Sequence, residues 1–235
     1  MDSLKKKFMW SNLKASRSLS KPTLYVKSIN DETQLIVSLY VNDLLVAGGD
    51  RELLVNFKTK IQQHFDMSDL GLMSYFLAME VTQAEKGIWL SQKTFAMKIL
   101  NKFSMENCKA TSTPVAVGEK LSSQDKHEKV CETTYRSLVG CLLYLTATRL
   151  DIMYVVSLLS RFMHCSNESH FRAAKRVLRY IKGTLSYGML FTKAENLKLV
   201  GYCDSDWAGS LDDMKSTSGY AFNLGSTMIC WSSKE

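Results

Sequence analysis

The sequence has 235 residues, of which 46% are hydrophobic, enough for one large core or two smaller ones. This composition excludes a disordered chain, and no apolar run reaches the ~18 residues of a membrane-spanning helix. The formal net charge of +7 and the pI of about 9.0 favour an anionic partner such as nucleic acid.

The cysteines and the N-terminal segment bear on localisation. Six widely spaced cysteines without a CxxC motif are typical of reduced, mostly buried thiols in an intracellular protein. Residues 1–30 are rich in Lys, Arg and Ser, with Asp2 the only acid, which suits either an organelle transit peptide or an ordinary basic surface segment. We expect a protein of the cytoplasm or nucleus, or of an organelle, that is neither secreted nor membrane-bound.

The N-terminal half contains two predicted hairpins, each followed by a helix. Residues 35–47, LIVSLYVNDLLVA, are β-branched and apolar on both sides of a two-residue polar break, which predicts a tight hairpin. Asp50 is a natural N-cap for a helix over RELLVNFKTKIQQHF. The segments SYFLAMEVTQ and GIWLSQ predict a second hairpin, and QKTFAMKILNKFSM predicts a second helix.

The C-terminal half is predicted to be helical and then to form strands. Residues 109–132 lack periodicity and predict an exposed linker. Beyond them, YRSLVGCLLYLTATRLDIMYVVSLLSRFM predicts two helices that meet between Thr148 and Asp151, with Asp151 capping the second. A strongly amphipathic helix over SHFRAAKRVLRYIKGT follows, and LKLVGYC, SGYAFNLG and TMICWSS predict three strands.

Three features could carry chemistry, and each has a structural alternative. Asn42 and Asp43 at the first hairpin tip suit a divalent-metal site with one carboxylate fewer than the usual pair, or simply a turn. Asp204, at a predicted strand end, suits a metal-dependent nuclease site or a solvated acidic turn. The cations of the amphipathic helix suit phosphate contact or a solvated polar face: Arg172, Lys175, Arg176, Arg179 and Lys182.

The segment LYVNDLLVAGGD resembles the YVDD motif of reverse transcriptases from copia-type LTR retrotransposons. Six further segments resemble successive blocks of the same Pol polyprotein, in chain order: FDMSDLGLMSYFLAMEV, LSQKTFAMKILNKFSM, TSTPV, YRSLVGCLLYLTATRLDIMYVVSLLSRFM, HFRAAKRVLRYIKGTLSYG and GYCDSDWAGSLDDMKSTSGYAFNLG. Their order over most of the chain makes the resemblance specific.

The resemblance implies an α+β chain: a partial polymerase palm and thumb over residues 1–108, a linker over 109–132, a helical connection over 133–195 and an incomplete RNase H-like sheet over 196–235. It implies that Asn42 and Asp43 occupy the paired-Asp catalytic positions and that Asp204 matches the first RNase H carboxylate. It further implies Mg²⁺ as cofactor, with Asp43 and Asp204 as metal ligands, and an RNA/DNA template–primer as partner.

This sequence departs from the family pattern at the hairpin tip, where Asn42 replaces an Asp and removes a formal charge from a Mg²⁺ site. Leu150 also stands where the family usually has Pro. The family's fingers and another catalytic Asp would precede Met1, and its later RNase H carboxylates would follow Glu235. We therefore expect a fragment that is catalytically inactive alone; the alternatives are a non-enzymatic nucleic-acid-binding remnant that uses the basic helix, or a chain whose unpaired edges prevent stable folding.

Overall fold

The computed structural model describes residues 16–17, 23–29, 32–124, 127–193 and 197–234. Most of the basic segment over residues 1–30, and with it the possible transit peptide, lies outside the described residues. Within them the chain has five α-helices and three sheets, which confirms a mixed α/β class, and every pair of neighbouring strands is antiparallel. No helix in these ranges is long and apolar enough to cross a membrane.

The chain divides into two compact units, Met1–Met73 and Ser74–Glu235. The described elements of the first unit are β1 (Ser16–Arg17), β2 (Leu24–Ile29), β3 (Glu32–Tyr40), β4 (Asp43–Gly48) and α1 (Arg51–His64). The four strands pair in chain order. The predicted hairpin and helix are therefore confirmed, and the sheet also contains β1 and β2, which were not predicted.

The first unit is held together by alternate residues of β3. Leu35, Val37 and Leu39 are buried, and they belong to one cluster with Phe57 and Ile61 of α1. Because side chains alternate across a strand, this pattern fixes which face of β3 meets the helix. The start of α1 is fixed by Asp50, whose carboxylate accepts from the amides of residues 52 and 53 at 2.8 and 3.3 Å, as predicted for an N-cap.

The second unit contains two sheets and four helices. Its strands are β5 (Tyr75–Phe76), β6 (Met79–Ala84), β7 (Gly87–Ser91), β8 (Gly188–Thr192), β9 (Leu199–Ser205), β10 (Ser218–Leu224) and β11 (Thr227–Lys234). Its α-helices are α2 (Lys93–Lys102), α3 (Glu132–Leu145), α4 (Met153–Ser160) and α5 (Glu168–Gly183). Strands β5 to β8 form one sheet in chain order, and the order in the other is β11-β10-β9.

The core of the second unit is built by α2 to α5. Leu142 of α3, Val156 of α4 and Leu178 of α5 are each fully shielded from solvent and belong to one cluster. Tyr135 is buried in the same cluster, and its hydroxyl donates to the carbonyl of Leu159 at 2.9 Å. Burial raises the pKa of Tyr135 far above its usual range, so this phenol stays protonated and keeps donating.

The predicted role of Asp151 is wrong. The two helices do meet where expected, but a 3₁₀ turn (Leu150–Ile152) precedes α4, and no side chain caps that helix. The carboxylate of Asp151 instead forms an ion pair with the buried Arg149, with N–O distances of 2.9 and 2.6 Å. It also accepts from the Tyr180 hydroxyl at 2.9 Å. A buried guanidinium attracts the carboxylate more strongly than backbone amides at a helix end do.

Two other expectations about exposure differ from the structure. The cysteines are unpaired, as predicted, but none is buried: Cys131, Cys203 and Cys230 are exposed and the other three are half-buried. Part of the segment 109–132 is packed, since Leu121 is buried and Val115 contacts the helical core. Apolar side chains in a segment without regular structure anchor it wherever a core surface is within reach.

Candidate functional site

The first candidate is the tip of the β3–β4 hairpin. Tyr40 and Asp43 form the last residue pair of the ladder, so the turn consists of Val41 and Asn42 alone. The register places Asp43 on the same face as Tyr40, opposite to the buried Leu39. Asn42 and Asp43 are both exposed. The hairpin thus presents one carboxylate and one neighbouring amide to solvent.

The backbone at this tip is strained. Val41 has a φ of +50°, a region that β-branched residues rarely adopt. Its side chain is 69% exposed, so packing does little to compensate for the strain. Strained turns of this kind cluster at functional sites, where surrounding structure holds them in place.

The donor set at the tip does not make a complete Mg²⁺ site. Mg²⁺ prefers octahedral oxygen ligands and usually takes carboxylates together with waters and substrate phosphates. Asp43 supplies one carboxylate, and the amide oxygen of Asn42 carries no formal charge. No group of three or more His, Cys, Asp or Glu residues suited to a metal occurs in the part of the chain that the structure describes.

The second candidate, Asp204, lies in the second unit, one residue before the end of β9. It pairs with Gly219 of β10 and is exposed. Its carboxylate accepts a local hydrogen bond from the Ser205 amide at 2.9 Å. The strand-end position expected from the sequence is therefore present.

The other acidic residues near Asp204 have structural partners. Asp206 accepts from the amide of Thr217 at 2.7 Å, and Asp212 accepts from the Ser122 hydroxyl at 2.5 Å. Burial raises the pKa of Asp212, but the bonds from Ser122 and Ser123 outweigh it and lower the pKa overall. Asp206 and Asp212 therefore stabilise loops, and they do not form a carboxylate cluster with Asp204.

The third candidate is the basic face of α5. Asn167 caps the helix in a capping box with His170. The apolar face of α5 is buried as predicted, at Ala174, Val177, Leu178 and Ile181. The predicted phosphate-binding cations lie on the remaining face, where Arg172 is exposed and the other four are half-buried.

Four of the five predicted cations line one groove of about 390 Å³, which we call the basic groove: Arg172, Lys175, Arg176 and Arg179, together with Met105 and Glu119 among others. Lys182 does not line it. Met105 and Glu119 were not predicted, because they lie far from α5 in the sequence and carry no motif that marks them. The structure therefore joins four predicted residues into a concave site whose charged lining residues are these four cations and Glu119.

The chain is similar in sequence to a known protein family and to a transposon polyprotein. Residues 3–117 match the family described as reverse transcriptase (RNA-dependent DNA polymerase). The chain is 38% identical over 220 residues to the retrovirus-related Pol polyprotein from transposon RE1 of Arabidopsis thaliana, covering 90% of this chain but only 15% of that protein. No solved structure matches the chain.

Two proteins that are shorter than the Pol polyprotein match the chain over most of their own length. A putative transposon Ty5-1 protein of Saccharomyces cerevisiae is 34% identical over 214 residues, covering 90% of this chain and 69% of that protein. An uncharacterized mitochondrial protein of Arabidopsis thaliana is 40% identical over 197 residues, covering 83% of this chain and 81% of that protein.

Proposed function

The chain belongs to the reverse transcriptase family of retrotransposon Pol polyproteins, and from this premise we propose that it binds an RNA/DNA template–primer but does not synthesise DNA on its own. The observation that carries the proposal is the hairpin tip. The turn presents Asp43 with the neutral Asn42 beside it, where the copia-type motif that the chain resembles has two carboxylates.

The finer assignments follow the same proposal. The first unit, with its hairpin tip, corresponds to part of a polymerase palm. Residues 74–108 correspond to the thumb, and the helices after residue 132 correspond to the connection. The antiparallel strands β9 to β11 correspond to the opening of an RNase H-like sheet, supported by the position of Asp204 on β9.

The proposed lack of synthesis rests on charge. Two-metal phosphoryl transfer needs several negative oxygen ligands around two cations, which offset the repulsion between those cations. Replacing a carboxylate with an amide removes one formal charge from that balance. The described residues do not complete the ligand set of a Mg²⁺ ion.

The second candidate function is nucleic-acid binding without any enzymatic role, and the basic groove favours it. Five cations of α5 lie on one helix face, with no acidic residue between positions 171 and 183. Such a stripe neutralises phosphates regardless of base sequence. Both candidates predict binding of nucleic acid, and they differ over whether the hairpin tip takes part.

A binding titration tests the shared prediction. The purified chain is titrated against a fluorescently labelled RNA/DNA hybrid, and the affinity is followed by anisotropy over a series of salt concentrations. We expect binding that weakens steeply as salt rises, because each phosphate contact releases condensed counterions. Binding that is absent, or that does not change with salt, would contradict the proposed function.

A further inference from the structure

The cations of the basic groove have different partners. The Arg179 Nε donates to the Lys109 carbonyl at 2.8 Å, and Arg176 donates through Nη2 to the Thr113 hydroxyl at 2.9 Å. In return, the amide of Thr111 donates to the Arg179 carbonyl at 3.3 Å. These bonds attach the segment 109–113 along the side of α5. Met105 and Ala116, which line the groove, lie before and after this segment in the chain, so Arg176 and Arg179 help to position the lining residues outside α5.

Arg172 and Lys175 are placed differently. Arg172 is exposed, and the Lys175 ammonium lies over the Phe171 ring at 4.4 Å from its centroid. That ring restricts the long lysine side chain without consuming its hydrogen-bond donors. Residues three apart on a helix are neighbours on its surface, so the two cations form one contact patch.

The charge balance of the groove favours an anion. Four cations line it with Glu119 as the acidic residue among the lining side chains. Cations gathered in a concave site attract an anion more strongly than the same charges on an open surface.

We propose that the basic groove binds the phosphodiester backbone of a nucleic acid through Arg172 and Lys175, while Arg176 and Arg179 act as positioning residues. They hold the segment 109–113 against α5, and with it the neighbouring lining residues Met105 and Ala116. This inference rests on the proposed function and deepens it by dividing the basic face into contact and positioning residues. Lys182, outside the groove, has neither role.

The test compares three variants for their binding to the labelled RNA/DNA hybrid. A plot of log affinity against log salt has a negative slope. In Arg172→Gln/Lys175→Gln, we expect this slope to become less steep by about two, which is about one for each lost phosphate contact. The matched control is Lys93→Gln/Lys98→Gln, which removes the same charge from exposed positions of α2 and is expected to keep the wild-type slope. Circular dichroism checks that each variant is folded.

The third variant, Arg179→Gln, tests the positioning role. We expect a lower melting temperature, because the bond to the Lys109 carbonyl is lost, together with a smaller change in salt slope than in the double variant. If the salt slope of Arg179→Gln becomes less steep by as much as that of the double variant, the division of roles is overturned.

The outcomes separate the inference from the proposed function. If the wild-type chain binds the hybrid with steep salt dependence but Arg172→Gln/Lys175→Gln binds with the same slope, the groove assignment fails and the proposed function stands. If the wild-type chain does not bind the hybrid at all, both fail.

Discussion

Arg149 shows how a single residue organises the helical core of the second unit. It is 4% exposed, and its guanidinium donates four hydrogen bonds, two to Asp151 and two to the hydroxyl and carbonyl of Thr184. The rings of Tyr180 and Tyr187 lie at 5.6 and 5.3 Å from its guanidinium carbon. These contacts connect the turn before α4 to the C-terminal end of α5.

Asp151→Ala tests this network. Asp151 is exposed, but Arg149 is buried, and without Asp151 its guanidinium keeps only the two bonds to Thr184. We therefore expect a loss of about 2 kcal/mol in the free energy of unfolding near neutral pH. The measurement is urea unfolding followed by circular dichroism. The control is Glu132→Ala, which removes an exposed partner of Arg136 and is expected to cost less than about 1 kcal/mol. Equal losses in the two variants would contradict a special role for the pair of Asp151 with the buried Arg149.

The same network predicts a pH dependence. Burial raises the pKa of Asp151, but hydrogen bonds and the charge of Arg149 outweigh it, so the pKa is lowered in the folded protein. A carboxyl group whose pKa is lowered by folding stabilises the folded protein at pH values above its unfolded-state pKa of about 4. That stabilisation is lost as the pH falls through the folded-state pKa. The difference between wild type and Asp151→Ala should therefore shrink below about pH 4.

At the scale of elements, the β3–β4 hairpin combines a well-determined register with a strained turn. The buried residues of β3 fix the register, while Val41 is held at a positive φ. The turn geometry therefore comes from the strands on either side, and the preference of Val41 opposes it.

Val41→Gly is expected to stabilise the hairpin. Glycine adopts a positive φ at no steric cost, so the substitution relieves the strain at this turn. That relief exceeds the entropic cost of ordering the more flexible glycine, and we expect a net gain of about 0.5–1 kcal/mol in the free energy of unfolding. Hydrogen exchange of the β3 and β4 amides should slow accordingly. The control is Val55→Gly on the exposed face of α1, where φ is helical and the same substitution should destabilise by about 0.5 kcal/mol. Faster exchange in the hairpin of Val41→Gly would show that the turn is not strained.

Local patterns predicted most of the individual elements. The β3–β4 hairpin, the cap at Asp50 and the amphipathic α5 were predictable because their signals lie within a few residues of one another. The hairpin turn, however, consists of Val41 and Asn42, one residue earlier than the predicted Asn42 and Asp43, because Asp43 pairs with Tyr40 in the ladder. Strand β8 was missed because it is short and its partner, β7, lies about a hundred residues earlier in the chain. A five-residue apolar run cannot show which distant strand it will pair with.

Predicting the candidate site had a similar limit. The residue types and helical spacing of the basic face were visible in the sequence, but the bonds from Arg176 to Thr113 and from Arg179 to Lys109 join positions more than sixty residues apart. The sequence does not show that Asp151 pairs with Arg149 instead of capping a helix. The contacts that hold the pair in place, of Arg149 with Thr184 and of Asp151 with Tyr180, are long-range. The roles of Asp43 and Asp204 stay predictions.

At the scale of the whole molecule, each compact unit carries a different part of the proposal. The first unit, Met1–Met73, holds the hairpin tip with its single carboxylate, and the second, Ser74–Glu235, holds the basic groove and Asp204. Binding of template–primer is therefore assigned mainly to phosphate contacts in the second unit. The Asn42 amide, together with the lack of a ligand cluster among the described residues, accounts for the expected absence of synthesis.

Primer extension by the whole purified chain tests this account most directly. Wild type and Asn42→Asp are incubated with Mg²⁺, nucleotides and an RNA template annealed to a DNA primer, beside an active reverse transcriptase as positive control. We expect that both chains bind the hybrid and that neither extends the primer, because the described residues supply no cluster of ligands to complete the site even when residue 42 is a carboxylate. Template-directed, Mg²⁺-requiring incorporation by either chain would contradict it.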